Sequence, residues 1–172
     1  MNKRYFFIVF AVAVLLVSAV LLLVINKVNS PTPISKVNAH FETTSQTWQI
    51  GKTYLVNLVI ENKDIPTAAT IHVIVDPQFL RIEDAKEGDV WTSANILQKK
   101  IDASLGDLIF SEGQGFDAKL TDKATLATLS VTALKQTKST NINLALDSAT
   151  AKVKSTVLNQ LLSLPFSVSV SK

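Results

Sequence analysis

Apolar and polar residues alternate with a period of two along most of the chain beyond residue 50. The alternating segments are residues 54–61, 70–75, 127–133, 142–146 and 166–171. In each segment one face is apolar and the other carries small or polar side chains, as in antiparallel sheets with one face buried. The pattern predicts an all-β sandwich of packed sheets. Residues 92–100 and 152–164 are ambiguous between a helical turn or two and an irregular connection.

One strand of this pattern ends abruptly. In the passage ATIHVIVDPQFLRIEDAKEGD, residues 69–89, the strand stops at Asp76-Pro77. Proline lacks the N–H donor that a sheet ladder needs, and the preceding aspartate can cap the turn through its side chain. The apolar positions within residues 79–85 are expected to pack as the chain crosses the end of the sandwich. Gly88 is expected to take the positive φ of the next reversal.

The first 28 residues differ from the rest of the chain. Lys3 and Arg4 precede an apolar run, residues 5–25, that contains no charge, no Gly and no Pro. About 20 apolar residues span the hydrocarbon layer of a membrane. Residues 1–28 are therefore predicted to be one transmembrane helix of the cytoplasmic membrane, with the N-terminus inside and the remainder outside. The alternative is a cleaved signal peptide with its site at residues 17–19, which would give a secreted protein.

Composition narrows what the exported part can be. Without the three basic residues of the first 30, the 17 basic residues fall to 14, equal to the 14 acidic ones. A neutral domain without a basic run has no electrostatic footprint for nucleic acid. The chain has no cysteine, which excludes disulfides, thiolate metal sites and a cysteine nucleophile. Residues 29–38, with two prolines, are predicted to be an extended linker, and residues 39–172 one domain.

Four segments carry a resemblance to a known family. They are IGKTYLVNLVIEN (50–62), VDPQFLRIEDAKEG (75–88), LGDLIFSEG (105–113) and ATLATLSVTAL (124–134). In this order they are similar to the early strand, the Asp-Pro corner, the middle strands and the late strand of cohesin domains. The resemblance implies a jelly-roll β-sandwich of about nine strands, related in fold to cellulose-binding modules. It also implies a dockerin module as partner, bound through one flat sheet face, with the calcium of such pairs in the dockerin.

The resemblance indicates which residues would meet the partner. The strand at residues 70–75 would contribute to the partner face. Its inward positions are the apolar residues 71, 73 and 75, because successive side chains of a strand point to opposite faces. The predicted partner-binding residues are the outward ones: Ala68, Thr70, His72 and Ile74. A single such module on its own membrane anchor departs from the usual cellulosomal setting of tandem modules.

Histidines and acidic residues give little indication of catalysis. The two histidines, His40 and His72, lack the spacing of a zinc site. Four acids recur every five residues, Asp102, Asp107, Glu112 and Asp117; this odd spacing changes face along a strand, and turns and solvated positions are expected for them. The acids at residues 83–89 lack the ligand order of a calcium loop. No catalytic residue, metal ligand or cofactor is predicted, and an enzyme is the least favoured class.

The favoured interpretation is a non-catalytic, membrane-anchored binding module that recruits a dockerin-like partner and is linked to polysaccharide binding or breakdown. One alternative is a carbohydrate-binding module for cell-wall or environmental polysaccharide. Its ring platform would be formed by Trp48 and Trp91, with Tyr54 and Phe116, although tryptophan also commonly fills the space between two sheets. Another is a structural envelope protein that self-associates through edge strands.

Overall fold

The computed structural model describes residues 35–61, 66–114, 123–151 and 159–172, and every regular element in these ranges is a β-strand. The strands are β1 Ser35–Glu42, β2 Thr47–Gln49, β3 Thr53–Ile60, β4 Ala68–Val75, β5 Leu80–Glu87, β6 Ala94–Asp102, β7 Asp107–Gln114, β8 Ala124–Ala133, β9 Thr137–Leu144, β10 Ala149–Ala151, β11 Asn159–Leu162 and β12 Phe166–Ser171. The predicted transmembrane helix lies outside the described residues. Within them, no helix is long and apolar enough to cross a membrane.

The strands form two sheets that share β1. In the front sheet β4 is central, with β7 and then β6 on one side. On its other side β4 pairs with β9, which continues to β12 and β2, and with β10, which continues to β11 and the first half of β1. The back sheet has the order β1, β3, β8, β5. Strand β1 changes sheet after Asn38, so the two sheets are joined along one side.

The core lies between the sheets and follows the period-two pattern. Alternate residues of β4 are buried, and the facing residues of β8 are buried as well. The largest fully covered apolar side chains are Trp48, Phe110, Leu58, Ile71, Leu80, Ile82, Leu108, Leu126, Leu129, Ile142 and Leu161. Each such burial is worth about 1.5–3 kcal/mol of transfer free energy. The prediction of an all-β sandwich is therefore confirmed for the described part of the chain.

The ambiguous segments resolve into strands where they are described. Residues 94–102 form β6, and residues 159–162 form β11, which runs parallel to the start of β1. The helical turns considered for these residues are absent there. Their patterns are hard to read because β6 is an exposed edge strand and β11 is only four residues long.

The Asp-Pro corner carries the chain from the front sheet to the back sheet. Asp76 accepts a hydrogen bond from the Gln78 N–H on its side-chain Oδ1 at 2.9 Å, and from the Leu80 N–H on its carbonyl at 2.9 Å. The predicted capping role of Asp76 is confirmed. The apolar stretch that follows is itself a strand, β5, which pairs with β8 in the back sheet and has its alternate apolar residues buried.

The start of the domain differs from the predicted boundary. Residues 29–38 were expected to be linker, yet β1 begins at Ser35 and pairs with β11 from that residue. The alternation of buried Val37, Ala39 and Phe41 explains why the chain is already a strand here. Two prolines upstream dominate the composition of the segment, and they conceal this alternation. The compact unit that contains all described strands is Pro33–Lys172.

Gly88 is required for a different reason from the one expected. Positive φ angles occur at Gly51, 76°, and Gly106, 69°, but not at Gly88. A Cβ atom on Gly88 would lie 2.0 Å from the carbonyl oxygen of Thr125. The end of β5 therefore approaches the start of β8 too closely for any side chain, and the Gly88 N–H donates to the Leu126 carbonyl at 2.9 Å.

Gly88→Ala is expected to lower the free energy of unfolding by at least about 2 kcal/mol, because backbone must move to admit the methyl group. Gly51→Ala is the matched control. No atom lies within 4 Å of its Cβ position, so only the positive φ costs energy, about 1 kcal/mol. Urea unfolding of residues 33–172, followed by tryptophan fluorescence, measures both values. Equal losses in the two variants would contradict the close-approach explanation.

Candidate functional site

The four predicted partner residues lie in one row on the outer face of the front sheet. Thr70 and Ile74 are exposed, and Ala68 and His72 are half-buried. Their neighbours along the strand point into the core. Strand β4 is flanked on both sides, so this row occupies the middle of the sheet rather than an edge.

The strand beside β4 is interrupted opposite His72. Residues 145–148 leave the ladder between β9 and β10, and we call them the β9–β10 turn. Ser148, which is fully buried, substitutes for the missing ladder bonds. Its hydroxyl oxygen accepts from the His72 N–H at 3.0 Å and donates to the His72 carbonyl at 3.2 Å, while the Ala145 N–H donates to the same carbonyl at 2.8 Å. The turn is thus fixed to the backbone of β4 by the Ser148 hydroxyl and the Ala145 N–H.

The His72 ring lies between two carboxylates. Its Nε2 is 2.5 Å from Asp107 Oδ1, and its Nδ1 is 2.8 Å and 2.9 Å from the two oxygens of Asp147. Asp107 begins β7, and Asp147 belongs to the β9–β10 turn. A neutral imidazole has a single N–H, so only the imidazolium can donate to both carboxylates at once. We call these three residues the Asp–His–Asp cluster.

Two effects act on the protonation of this ring. Partial burial lowers the pKa of His72, but the hydrogen bonds to Asp147 and Asp107 outweigh it, and the net shift of the pKa is upward. Attraction between the ring charge and the two carboxylates acts in the same upward direction. The charged ring and two carboxylates together carry a net charge of −1 on the outer face.

Exposed aliphatic side chains lie on elements that carry or adjoin the cluster. Ile74 lies next to it on β4, Leu105 in the β6–β7 turn and Leu146 beside Asp147, and all three are exposed. Leu97 is the extra residue of a bulge in β6. Its Cδ1 lies 3.6 Å from the Cβ position of Gly113, where glycine leaves the outer face open. Large exposed apolar side chains grouped on one face are typical of an interaction surface.

A shallow depression adjoins the cluster between β4 and β10. Its volume is about 280 Å³, and it is lined by Ala68, Ala69, Thr70, Asp147, Ala149, Thr150 and Ala151. The side chains are small because two alanine- and threonine-rich strands lie side by side, with Ala149 opposite Thr70 and Ala151 opposite Ala68. Small side chains let the backbone of a bound partner approach the sheet closely.

Trp48 and Trp91 do not form the expected ring platform. Their exposed fractions are 0% and 4%. The Trp48 ring stacks on Tyr54 with centroids 4.6 Å apart, and its Nε1–H donates to the Ser45 carbonyl at 2.7 Å. The Trp91 Nε1–H donates to the Pro66 carbonyl at 2.8 Å. This corrects the expected carbohydrate-binding role, because neither indole face is available to stack on a sugar; the fourth ring, at residue 116, lies outside the described residues.

The acids spaced five apart have unlike surroundings. Asp102 caps the β6–β7 turn as expected, accepting from the Ser104 hydroxyl at 2.6 Å and from two backbone N–H groups. Asp107 joins the Asp–His–Asp cluster. Glu112 corrects the expectation of solvated positions: its exposed fraction is 0%, and neither carboxyl oxygen has a hydrogen-bond partner within the described part of the chain. Asp117 lies outside the described residues.

Glu112 is a buried acid on the inner face of β7, where Phe110 and Leu108 precede it in the core. Burial, with a smaller contribution from the nearby Glu87 carboxylate, raises the pKa of Glu112 to about 8. The carboxyl group is therefore protonated at neutral pH, since ionisation in an apolar interior is costly.

Metal-binding geometry is not found in the described ranges, which hold no group of three or more His, Asp or Glu side chains able to hold a metal ion. Three of the four acids near Gly88 have other partners. Glu83 pairs with Arg81 at 2.7 Å, Asp84 with Lys99 at 2.9 Å, and Asp89 accepts from the Thr125 N–H at 2.7 Å.

Comparison with solved structures identifies the fold. A cohesin module from a family 33 glycoside hydrolase of Clostridium perfringens has a TM-score of 0.66 and 11% identity over 80% of this chain and 98% of that one. A non-cellulosomal cohesin of the archaeon Archaeoglobus fulgidus has a TM-score of 0.60 and 12% identity, covering 80% and 93%. A type II cohesin–X-dockerin complex of Acetivibrio cellulolyticus contributes a chain with a TM-score of 0.61 and 11% identity, covering 79% and 100%. The described part of this chain has the cohesin fold.

Comparison by sequence finds no counterpart: no family model and no curated protein matches this chain. At 11–12% identity the structural likeness concerns the fold.

Glu112→Gln is expected to abolish a pH dependence of stability. Between the ordinary pKa near 4.5 and the folded value of about 8, the folded state binds a proton that the unfolded state has lost. Stability therefore falls as pH rises through this window, by about 5 kcal/mol in total. The glutamine variant does not titrate and should lack this slope between pH 4.5 and pH 6.5, where His72 keeps its proton, when urea unfolding is measured from pH 4 to pH 9.

Asp102→Asn, on the same hairpin, is the control. The Ser104 hydroxyl, followed by backbone N–H groups, holds the pKa of Asp102 below its usual value, so its contribution is lost only as pH falls below the ordinary value. The slope above pH 4.5 should persist in this variant. A wild-type protein whose stability does not fall between pH 5 and pH 8 would contradict the buried, protonated Glu112.

Proposed function

We propose that this protein is a non-catalytic binding module that recruits a protein partner of dockerin type. The docking face is the outer face of the front sheet, formed by Ala68, Thr70, His72 and Ile74 with Leu97, Leu105 and Leu146 around them. The observation that carries the proposal is the Asp–His–Asp cluster on this face, with exposed aliphatic side chains on β4 and on the two turns next to Asp107 and Asp147.

The apolar side chains supply affinity. Four large aliphatic side chains remain exposed and do not contribute to the core. They are Ile74, Leu97, Leu105 and Leu146. Removing aliphatic surface from water on binding is worth about 25 cal/mol per Å² before the costs of association. Apolar anchors ringed by polar groups are the usual anatomy of a protein–protein interface.

The Asp–His–Asp cluster and the adjoining depression determine which partner is preferred and how it is oriented. Asp147 is largely exposed, with a side-chain exposed fraction of 69%, and its carboxylate can accept from a partner's N–H or cationic groups. The net negative charge favours a partner with a basic contact region. The small side chains that line the depression admit a helix or loop at close range.

The comparisons support a protein partner rather than a small ligand. The Acetivibrio structure is a complex of a type II cohesin with an X-dockerin, and the fold of its cohesin is shared by this chain. Cohesin-fold modules are binding modules, which agrees with a non-catalytic role here. The link to polysaccharide binding or breakdown is part of the proposal and would come through the enzyme or module that the partner carries.

Membrane attachment belongs to the same proposal. The apolar run of residues 5–25 is long enough for one membrane span, and the basic residues before it favour an N-terminus inside. Attachment there would display the docking face outside the cytoplasmic membrane.

Ile74→Arg is expected to weaken binding of the Acetivibrio X-dockerin, or of dockerin modules encoded with this protein, by about tenfold or more. A long charged side chain at the centre of the docking face obstructs contact and replaces an apolar anchor. Isothermal titration calorimetry with calcium present measures the dissociation constants. Leu55→Arg is the matched control, because Leu55 is an exposed leucine on β3 of the back sheet, and it should bind as the wild type does.

The two variants also locate the interface if the docking face is misplaced. Loss of binding in Leu55→Arg with full binding in Ile74→Arg would move the interface to the back sheet. Failure of every dockerin module to bind the wild-type chain would overturn the proposed function. Circular dichroism of both variants checks that the fold is retained.

The full chain, expressed in a bacterial host, should remain in the membrane fraction after an alkaline carbonate wash and dissolve only in detergent. Residues 33–172 alone should be soluble, since the apolar run is removed. Recovery of a shortened chain from the periplasm or medium would instead support the cleaved signal peptide.

A further inference from the structure

We propose that His72 is a proton-operated clamp on the docking face: its doubly protonated ring holds the β9–β10 turn in the docking arrangement, and loss of one proton releases the turn's outer end. The inference rests on the proposed docking function and concerns the regulation of that same face.

The clamp follows from the hydrogen-bond requirements of the ring. Both nitrogens lie within 2.9 Å of carboxylate oxygens, Asp107 on one side and Asp147 on the other. A neutral ring can donate to one carboxylate only, and its unprotonated nitrogen then faces a second carboxylate with lone pair against lone pair. One of the two contacts must open when the proton leaves.

Asp147 is the contact that can open. Asp107 lies within the β4–β7 ladder, diagonally across from His72, and its position is set by strand pairing. Asp147 belongs to the four-residue β9–β10 turn, and its side chain is the more exposed of the two carboxylates. The turn's backbone stays attached through Ser148 and Ala145, so release concerns the projecting residues Leu146 and Asp147.

The released residues border the docking face. Leu146 is one of its exposed aliphatic side chains, and Asp147 lines the depression between β4 and β10. A partner that packs on Leu146 and Asp147 would have to order these two residues again once the clamp is open, which weakens binding. Gln160 also holds the turn, donating from Nε2 to the Leu146 carbonyl at 2.7 Å, but this bond does not change with pH.

Charged groups from each neighbouring element bear on the ring. Asp107 comes from β7 and Asp147 from the β9–β10 turn, while Lys100 and Asp102 lie on the outer side of β6 beyond β7 by their register. Strands β4 and β10 contribute no other charge. The pKa of His72 is raised above its ordinary value of about 6.5, so the clamp is closed below pH 6.5 and opens as pH rises through the higher folded value.

Nuclear magnetic resonance tests the clamp without any partner. The chain has two histidines, so the full-length His40→Gln variant in detergent micelles leaves His72 as the sole labelled imidazole. Both ring nitrogens should be protonated at pH 6, with a midpoint above 6.5. The backbone order parameters of Leu146 and Asp147 should fall with the same midpoint. A ring that is neutral from pH 5 to 9, or a turn that does not respond, would overturn the clamp.

Calorimetry tests its consequence for docking. Binding of the Acetivibrio X-dockerin to the full chain should weaken at least about fivefold between pH 6 and pH 9. His72→Gln cannot change charge at this position, so any pH dependence that it retains comes from other groups, such as Glu112 or groups of the dockerin, and is subtracted. Equal pH dependence in wild type and His72→Gln would overturn the inference while the docking function stands. Absence of binding at every pH would overturn the docking function and this inference together. The magnetic resonance titration then shows whether the His72 ring itself still titrates.

Discussion

Burial of alternate residues of β4 between two sheets is the constraint on which the candidate site depends. Ile71, Val73 and Val75 have almost no exposed surface, and a slip of one residue would place them in water and drive the intervening side chains into the core. The pairing of β4 with β7 on one side, and with β9 and β10 on the other, is therefore held in one register. The same register aligns His72 with the break in the neighbouring strand. Core packing on the inner face therefore determines which residues lie together on the outer face.

The break itself is a matter of backbone hydrogen bonds. A strand at the centre of a sheet cannot leave its N–H and C=O groups unpaired without losing stability. Opposite His72, the buried hydroxyl of Ser148 acts as both acceptor and donor and takes the place of a ladder residue. Because the Ser148 hydroxyl satisfies the backbone groups of His72, Leu146 and Asp147 can leave the ladder without weakening β4. The exposed edge strand β6 shows a different device: a bulge at Leu97 followed by Lys99 and Lys100 discourages edge-to-edge pairing, which disfavours the self-associating structural alternative.

Local pattern was enough to predict the strands β3, β4, β8, β9 and β12, the Asp-Pro corner and the outward direction of the row from Ala68 to Ile74. It was not enough for contacts between distant segments. The partners of His72 lie 35 and 75 residues along the chain, and their approach depends on strand order and register. The buried state of Trp48, Trp91 and Glu112 was equally inaccessible, because the same side chains occur on sandwich surfaces and only the second sheet decides which are covered. The predicted linker, residues 29–38, overlaps β1. There the two prolines indicated a linker, whereas the alternation of apolar residues indicated a strand.

Strand β7 shows how one strand places two acids in opposite surroundings. Asp107 and Glu112 are five residues apart, an odd spacing that puts them on opposite faces. The outward Asp107 contacts a histidine and favours the charged ring beside it, whereas the inward Glu112 has no partner among the described residues and keeps its proton. Rising pH acts against both arrangements, since His72 loses a proton that the cluster needs and Glu112 loses one that burial requires. The two groups can be changed independently because they lie on different sides of the same sheet: substitution of Glu112 removes the buried acid, and substitution of His72 removes the ring between Asp107 and Asp147.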